Sequence, residues 1–161
     1  GEIRAQIPEA TIRTQFIVGY PGETEAQFQE LLAFVEQMRF DRVGCFMYSQ
    51  EESTKAGTLS GQVDEATKQR RHDTLMEMQQ TISREKHREF VGRTVDVLVE
   101  GLSDETDLLL QGRHSQQAPD IDGVTYINDG QASPGDLVRV KITDSLDYDL
   151  VGEIVSPPPH Q

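Results

Sequence analysis

The segment Gly19-Tyr20-Pro21-Gly22-Glu23 is where residue types and spacing first suggest chemistry. It lies between a β-favouring run, residues 14–19, and a helix start at Thr24. A turn of this kind at the carboxyl end of a parallel strand is where α/β sheets bind ligands. Its glycines let backbone approach a ligand, and the free N–H groups of a helix start favour anionic groups. It lacks the dinucleotide and Walker patterns, so the same glycines also read as turn geometry alone. Cys45 sits in an apolar strand and reads as a buried, inert thiol. His72, His87, His114 and His160 show no ligand spacing and read as surface residues. No Gly-x-Ser-x-Gly elbow occurs. The carboxylate pairs Glu51-Glu52 and Asp120/Asp122 fall in loops, where solvated turn acids are the ordinary reading.

The elements that must position these groups change character near residues 90–92. Before that point the order is strand, helix, strand, loop, long helix. Thr24 can cap the first helix while Gln27 reaches back to it. Phe28, Leu31, Leu32, Val35 and Met38 then form one apolar stripe. Residues 42–48 are a second short strand, apolar enough to be covered on both faces. Strand, turn, helix and strand in this order make a βαβ unit, hence part of a parallel sheet. Asp64 caps a helix running to about Glu89, and Lys68-Gln69-Arg70-Arg71-His72 reads as its solvated face. After residue 90 the pattern is all β, with runs at 95–100, 108–110, 124–127, 138–143 and 150–155. Five short strands in this length suggest a small closed barrel of oligonucleotide-binding type, with antiparallel strands. The ending Pro157-Pro158-Pro159 cannot continue a ladder, so residues 156–161 read as a disordered tail. One βαβ unit leaves sheet edges unpaired, and the chain starts at Gly1 without Met, so a fragment is expected.

Charge and composition exclude whole classes. The 161 residues carry 28 acids against 15 bases, a net charge of −13. Residues 1–90 hold 15 acids and 11 bases, whereas residues 91–155 hold 13 acids and four bases. A surface of that sign repels phosphate, and the barrel has only Tyr126 and Tyr148 as stacking aromatics, which argues against nucleic acid. No apolar run is long enough to span a membrane, and no signal peptide is evident. One cysteine excludes an internal disulfide framework and any all-cysteine cluster within the chain. It also suits a reducing, cytoplasmic compartment.

Three segments carry a family resemblance: residues 13–24 (Arg-Thr-Gln-Phe-Ile-Val-Gly-Tyr-Pro-Gly-Glu-Thr), Phe40-Asp41-Arg42-Val43-Gly44, and Tyr48-Ser49. The chain resembles the C-terminal part of the methylthiotransferases of the radical S-adenosylmethionine superfamily. Val97-Leu98-Val99-Glu100-Gly101, residues 117–123 and residues 144–150 resemble the branch that modifies an aspartate of a small-subunit ribosomal protein. The resemblance implies that residues 1–90 end an incomplete, TIM-like β/α barrel and that residues 91–155 are a TRAM β-barrel. It implies replacement of a C–H by a methylthio group, using S-adenosylmethionine and two 4Fe-4S clusters in the parent enzyme. The cluster cysteines, including a Cys-x-x-x-Cys-x-x-Cys motif, belong upstream, so no catalytic residue, metal ligand or tightly bound cofactor is expected here. By resemblance, Ile17, Val18 and Gly19 lie on the strand lining the adenine side of S-adenosylmethionine. Glu23 falls one place late of the superfamily's Gly-x-Ile-x-Gly-x-x-Glu pattern and receives no ligand role. The loop also departs, with Glu52-Ser53-Thr54-Lys55 where the family commonly has Glu-Gly-Thr-Pro.

The acidic barrel fits a branch whose partner is a basic ribosomal protein. Asp120, Asp122, Asp144, Asp147 and Asp149 are the candidate substrate-docking residues, acting through on-rate and orientation. The alternative is that they are turn acids that only keep the barrel soluble. Two further readings stay open: a tRNA methylthiotransferase fragment, and a stand-alone acidic module for basic partners.

Overall fold

The computed structural model describes residues 2–8 and 10–156. It divides into two compact units, Gly1–Ile82 and Ser83–Gln161. A short helix, α1 (Glu2–Gln6), precedes the first strand.

In the first unit β1 (Arg13–Val18) and β2 (Arg42–Met47) pair in parallel, with Phe16 opposite Cys45 and Val18 opposite Met47. The crossover between them is α2 (Glu25–Met38). Its start is the expected capping box: Thr24 Oγ1 accepts from the Gln27 amide, and Gln27 Oε1 accepts from the Thr24 amide at 2.9 Å. Its end is Arg39, left-handed at φ 44°, whose N–H bonds back to Val35. The apolar stripe of α2 meets the strands in a core of Val18, Phe28, Leu32, Cys45 and Leu75. Leu75 comes from α3 (Glu65–Arg88), capped by Asp64, which accepts from the Thr67 amide at 2.9 Å. Strand β2 is not covered on both faces. Phe46 is exposed, as is Ile17 opposite it on β1, because no further layer of described residues lies over that face; Met47, at the strand end, is exposed as well. The unit therefore shows a two-stranded parallel sheet, and no wider β/α barrel among the described residues.

The second unit closes on itself. Strands β3 (Thr94–Leu102), β4 (Leu110–His114), β5 (Thr125–Asp129), β6 (Leu137–Ser145) and β7 (Leu150–Ser156) form a barrel in the order β3-β4-β5-β7-β6. Alternating residues supply its interior: Val97, Val99, Ile127, Val138, Val140, Ile142 and Leu150. The expectation of a wholly antiparallel barrel is corrected, since β5 and β7 run parallel. The reason is parity: an odd number of strands in a closed ring cannot alternate direction all the way round. The apolar run 108–110 is also corrected. Leu108 is 89% exposed in a loop, and the strand begins only at Leu110. Ser156 belongs to β7; the rest of the expected tail lies outside the described residues.

Candidate functional site

The turn after β1 is held by three kinds of contact. Gly19 and Gly22 both take positive φ, 77° and 84°, conformations that glycine adopts without steric cost. The Glu23 amide donates to the Tyr20 carbonyl at 2.9 Å, and the Gly22 amide donates to Gly61 at 2.8 Å, tying the turn to the loop before α3. The third contact comes from the Glu23 side chain, whose Oε1 accepts from the Gly19 amide at 3.0 Å and from Arg71 Nη1 at 2.5 Å.

Arg71 and Lys68 overturn the expectation that residues 68–72 form a solvated face. Lys68 is 2% and Arg71 4% exposed. Arg71 also donates to the Glu23 carbonyl at 3.2 Å and lies 5.6 Å from the Phe28 ring centroid. The Lys68 stem fills the space beside Gly19, where a Cβ would meet its Cγ at 2.3 Å. Its ammonium reaches Glu65 at 2.6 Å and lies 5.5 Å from the Tyr48 ring centroid. These residues belong to one buried helical stripe, Lys68, Arg71, Leu75, Gln79 and Ile82, at spacings of 3, 4, 4 and 3. Extending the spacing of Leu75 and Ile82 backwards would have found it, whereas hydropathy hides it. Gln79 continues the pattern by donating to the Phe40 carbonyl at 3.1 Å.

The expected site residues divide by the two-residue period of a strand. Val18 is fully buried in the core, and its carbonyl accepts from the Tyr48 amide at 2.9 Å. Ile17 points to the opposite face and is 60% exposed. Gly19 follows the strand and is buried, with its amide donating to Glu23 Oε1 and the Lys68 stem beside it. Beside them Tyr20 and Tyr48 meet edge to face at 5.4 Å. The Tyr48 hydroxyl and Gln62 Oε1 are buried without a hydrogen-bond partner in the structure. The exposed apolar side chain of Ile17 and the orphaned polar atoms nearby suit a nucleoside-bearing ligand such as S-adenosylmethionine, whereas the Gly19 amide is already given to Glu23. They do not suit an iron–sulfur cluster. The one thiol, Cys45, is buried, and desolvation, with a smaller push from Glu23, raises its pKa to about 11. No group of three potential metal ligands occurs among the described residues.

In the barrel unit four of the five expected acids lie in two neighbouring loops and Asp144 lies near the end of β6, and four of the five already have local work. Asp122 accepts from the Ala118 amide at 2.8 Å, and Asp149 accepts from the Val124 amide at 2.7 Å. Asp147 takes both Arg84 Nε at 2.6 Å and Arg84 Nη2 at 3.1 Å. Asp144 is exposed and bonds the next amide, that of Ser145. Asp120 is exposed and holds a left-handed φ of 62°. Two histidines correct the surface reading as well. His87 is buried, with Nδ1 3.1 Å from the Asp147 carbonyl, and His114 is buried with its ring 5.1 Å from that of Phe90. His160 lies outside the described residues.

Comparison with known proteins closes the gap between geometry and family. Residues 91–155 match the family model for the TRAM domain. The ribosomal protein uS12 methylthiotransferase RimO of Bdellovibrio bacteriovorus is 67% identical over 153 residues, covering 95% of this chain and 34% of that protein. The chain belongs to the RimO family. Proteins of the same name from Anaeromyxobacter sp. strain K and Syntrophotalea carbinolica are 55% and 56% identical, covering 98% and 95% of the chain and 34% of each relative. The chain thus spans about a third of the length of the RimO relatives it matches. The TRAM match coincides with the closed barrel of β3 to β7, an oligonucleotide-binding-like form. No helix among the described residues is long and apolar enough to cross a membrane.

Proposed function

We propose that this chain is the C-terminal part of a cytoplasmic radical S-adenosylmethionine methylthiotransferase that modifies an aspartate of ribosomal protein uS12. The observation that carries this reading is the 67% identity to a RimO protein across 95% of the chain. In this reading residues 1–90 end the catalytic β/α barrel, and residues 91–155 are the TRAM domain that meets the protein substrate. Ile17 serves the adenosine part of S-adenosylmethionine through its exposed side chain, with Val18 and Gly19 fixing the strand end that presents it. The cofactor supplies the radical chemistry and the methyl group when bound. This chain's residues shape and exclude water from one wall of its site. Two 4Fe-4S clusters are supplied by cysteines that this chain does not contain.

The charge distribution favours a protein substrate over tRNA, because 13 acids against four bases over residues 91–155 oppose phosphate and attract cations. The test uses the full-length protein with its clusters reconstituted without oxygen. Incubation with S-adenosylmethionine, a reductant and purified uS12 should add one methylthio group to a uS12 aspartate by mass spectrometry. Methylthiolation of bulk tRNA instead, or of neither, would overturn the proposal.

A further inference from the structure

The barrel's strand pairings sort its loops onto two ends. Residues 115–124 and 146–149 share one end, and residues 103–109 and 130–136 share the other. The first end holds the five acids picked out from the sequence, and it is occupied from within. Arg84 takes the Asp147 carboxylate, while Ser83 Oγ, at 2.9 Å, and His87 both bond its carbonyl.

The second end is open. A groove of about 580 Å³ lies between its loops, floored by Leu102, Leu109, Leu110, Ile127 and Ala132 and flanked by Leu108. Leu102 is 56% and Leu108 89% exposed, an apolar lining that water solvates poorly. Asp107 and Asp136 line the groove, and no lysine or arginine does. The loops 103–109 and 130–136 contain no base at all, while Asp104, Glu105 and Asp129 add to the same sign. Nucleic acid would bring phosphates to this rim, and a second copy would bring another strongly acidic barrel.

We propose that this groove docks an extended segment of a basic protein. One aliphatic side chain of that segment seats among the leucines, and flanking lysines or arginines meet Asp107 and its neighbours. The inference rests on the protein-substrate reading above and moves the docking surface to the end away from Asp120, Asp122, Asp144, Asp147 and Asp149. The leucines supply residence time and the carboxylates supply approach and register.

The experiment measures binding of purified uS12 to the full-length enzyme by calorimetry and biolayer interferometry. Leu102→Ser with Leu108→Ser should weaken binding about tenfold or more, mainly through faster dissociation. Asp107→Lys should slow association at low salt, with the deficit shrinking as salt rises. Asp120→Lys at the other end should stay within about twofold of wild type. Because these side chains are exposed, melting curves should match wild type and exclude unfolding as the cause. Wild-type affinity in both groove variants, or an equal loss in Asp120→Lys, overturns the groove while leaving the uS12 reading intact. Failure of the wild-type enzyme to bind uS12 at all overturns both. A Leu102/Leu108-dependent self-association or tRNA shift also overturns the groove assignment.

Discussion

The two units solve the problem of a sheet edge in opposite ways. In the barrel every strand has a partner on each side, and seven buried aliphatic residues fill the interior. In the first unit two strands pair only with each other among the described residues, and one face shows Ile17 and Phe46 to solvent. The first unit also buries charge: Lys68, Arg71 and Glu23 lock the turn after β1, whereas the barrel keeps its ion pairs, such as Arg84–Asp147, at the surface. One region is thus closed by apolar packing and backbone pairing. The other is held around a turn by a few polar contacts, which suits a wall of a ligand site.

The sharpest way to break this comparison is to separate the units. A segment from residue 83 to 156 should melt cooperatively and give dispersed amide resonances, and a segment from residue 2 to 82 should not. If both fold alike, the contrast is wrong. Among single changes in the full-length protein, Arg71→Ala should cost about 4 kcal/mol, because it strands the Glu23 carboxylate in a half-buried site. Leu150→Ala, at a fully buried barrel position, should cost about 3 kcal/mol by chemical denaturation. One part of the alkaline pH response should come from the first unit. With the folded Cys45 pKa near 11 and the unfolded value near 9, the unfolded chain loses its proton first, so stability should fall as pH rises between them. Titrating urea midpoints over that window tests it, and a Cys45→Ala protein should lose this part of the slope. Smallest of all, Arg84→Ala breaks an exposed pair and should cost under about 1 kcal/mol, less still in high salt.

Local signals were legible in the sequence and long-range partnerships were not. The capping box at Thr24 and Gln27, the stripe of α2 and the alternation through Val97, Val99, Val138 and Val140 all depend on neighbours within a few positions, and each stands in the structure. The burial of Lys68 and Arg71 depends on Gly19 and Glu23 nearly fifty residues away, and their charge pointed to solvent. The leucines at 108–110 read as a strand because hydropathy cannot tell an apolar loop from a core. At the candidate site, the glycines of the turn were visible, as was the resemblance of Ile17, Val18 and Gly19 to a cofactor-lining strand. What divides those three is facing, with Val18 inward and Ile17 outward. The acids of the barrel were visible by type, but which ones are already engaged was decided by Arg84, Ala118 and Val124.

Closure of the ring also implies an order of events in time. Hairpins β3–β4 and β6–β7 join strands that follow each other closely, so their loop-closure entropy is small. The ring shuts only when β3 meets β6 and β5 meets β7, which requires more distant stretches of chain to find each other. Folding should therefore build the sequence-adjacent hairpins first and pair β3 with β6, the partners farthest apart in the chain, last. Substitutions in the β6–β7 hairpin would then slow folding, while substitutions of Val95, which meets β6 only on closure, would mainly speed unfolding.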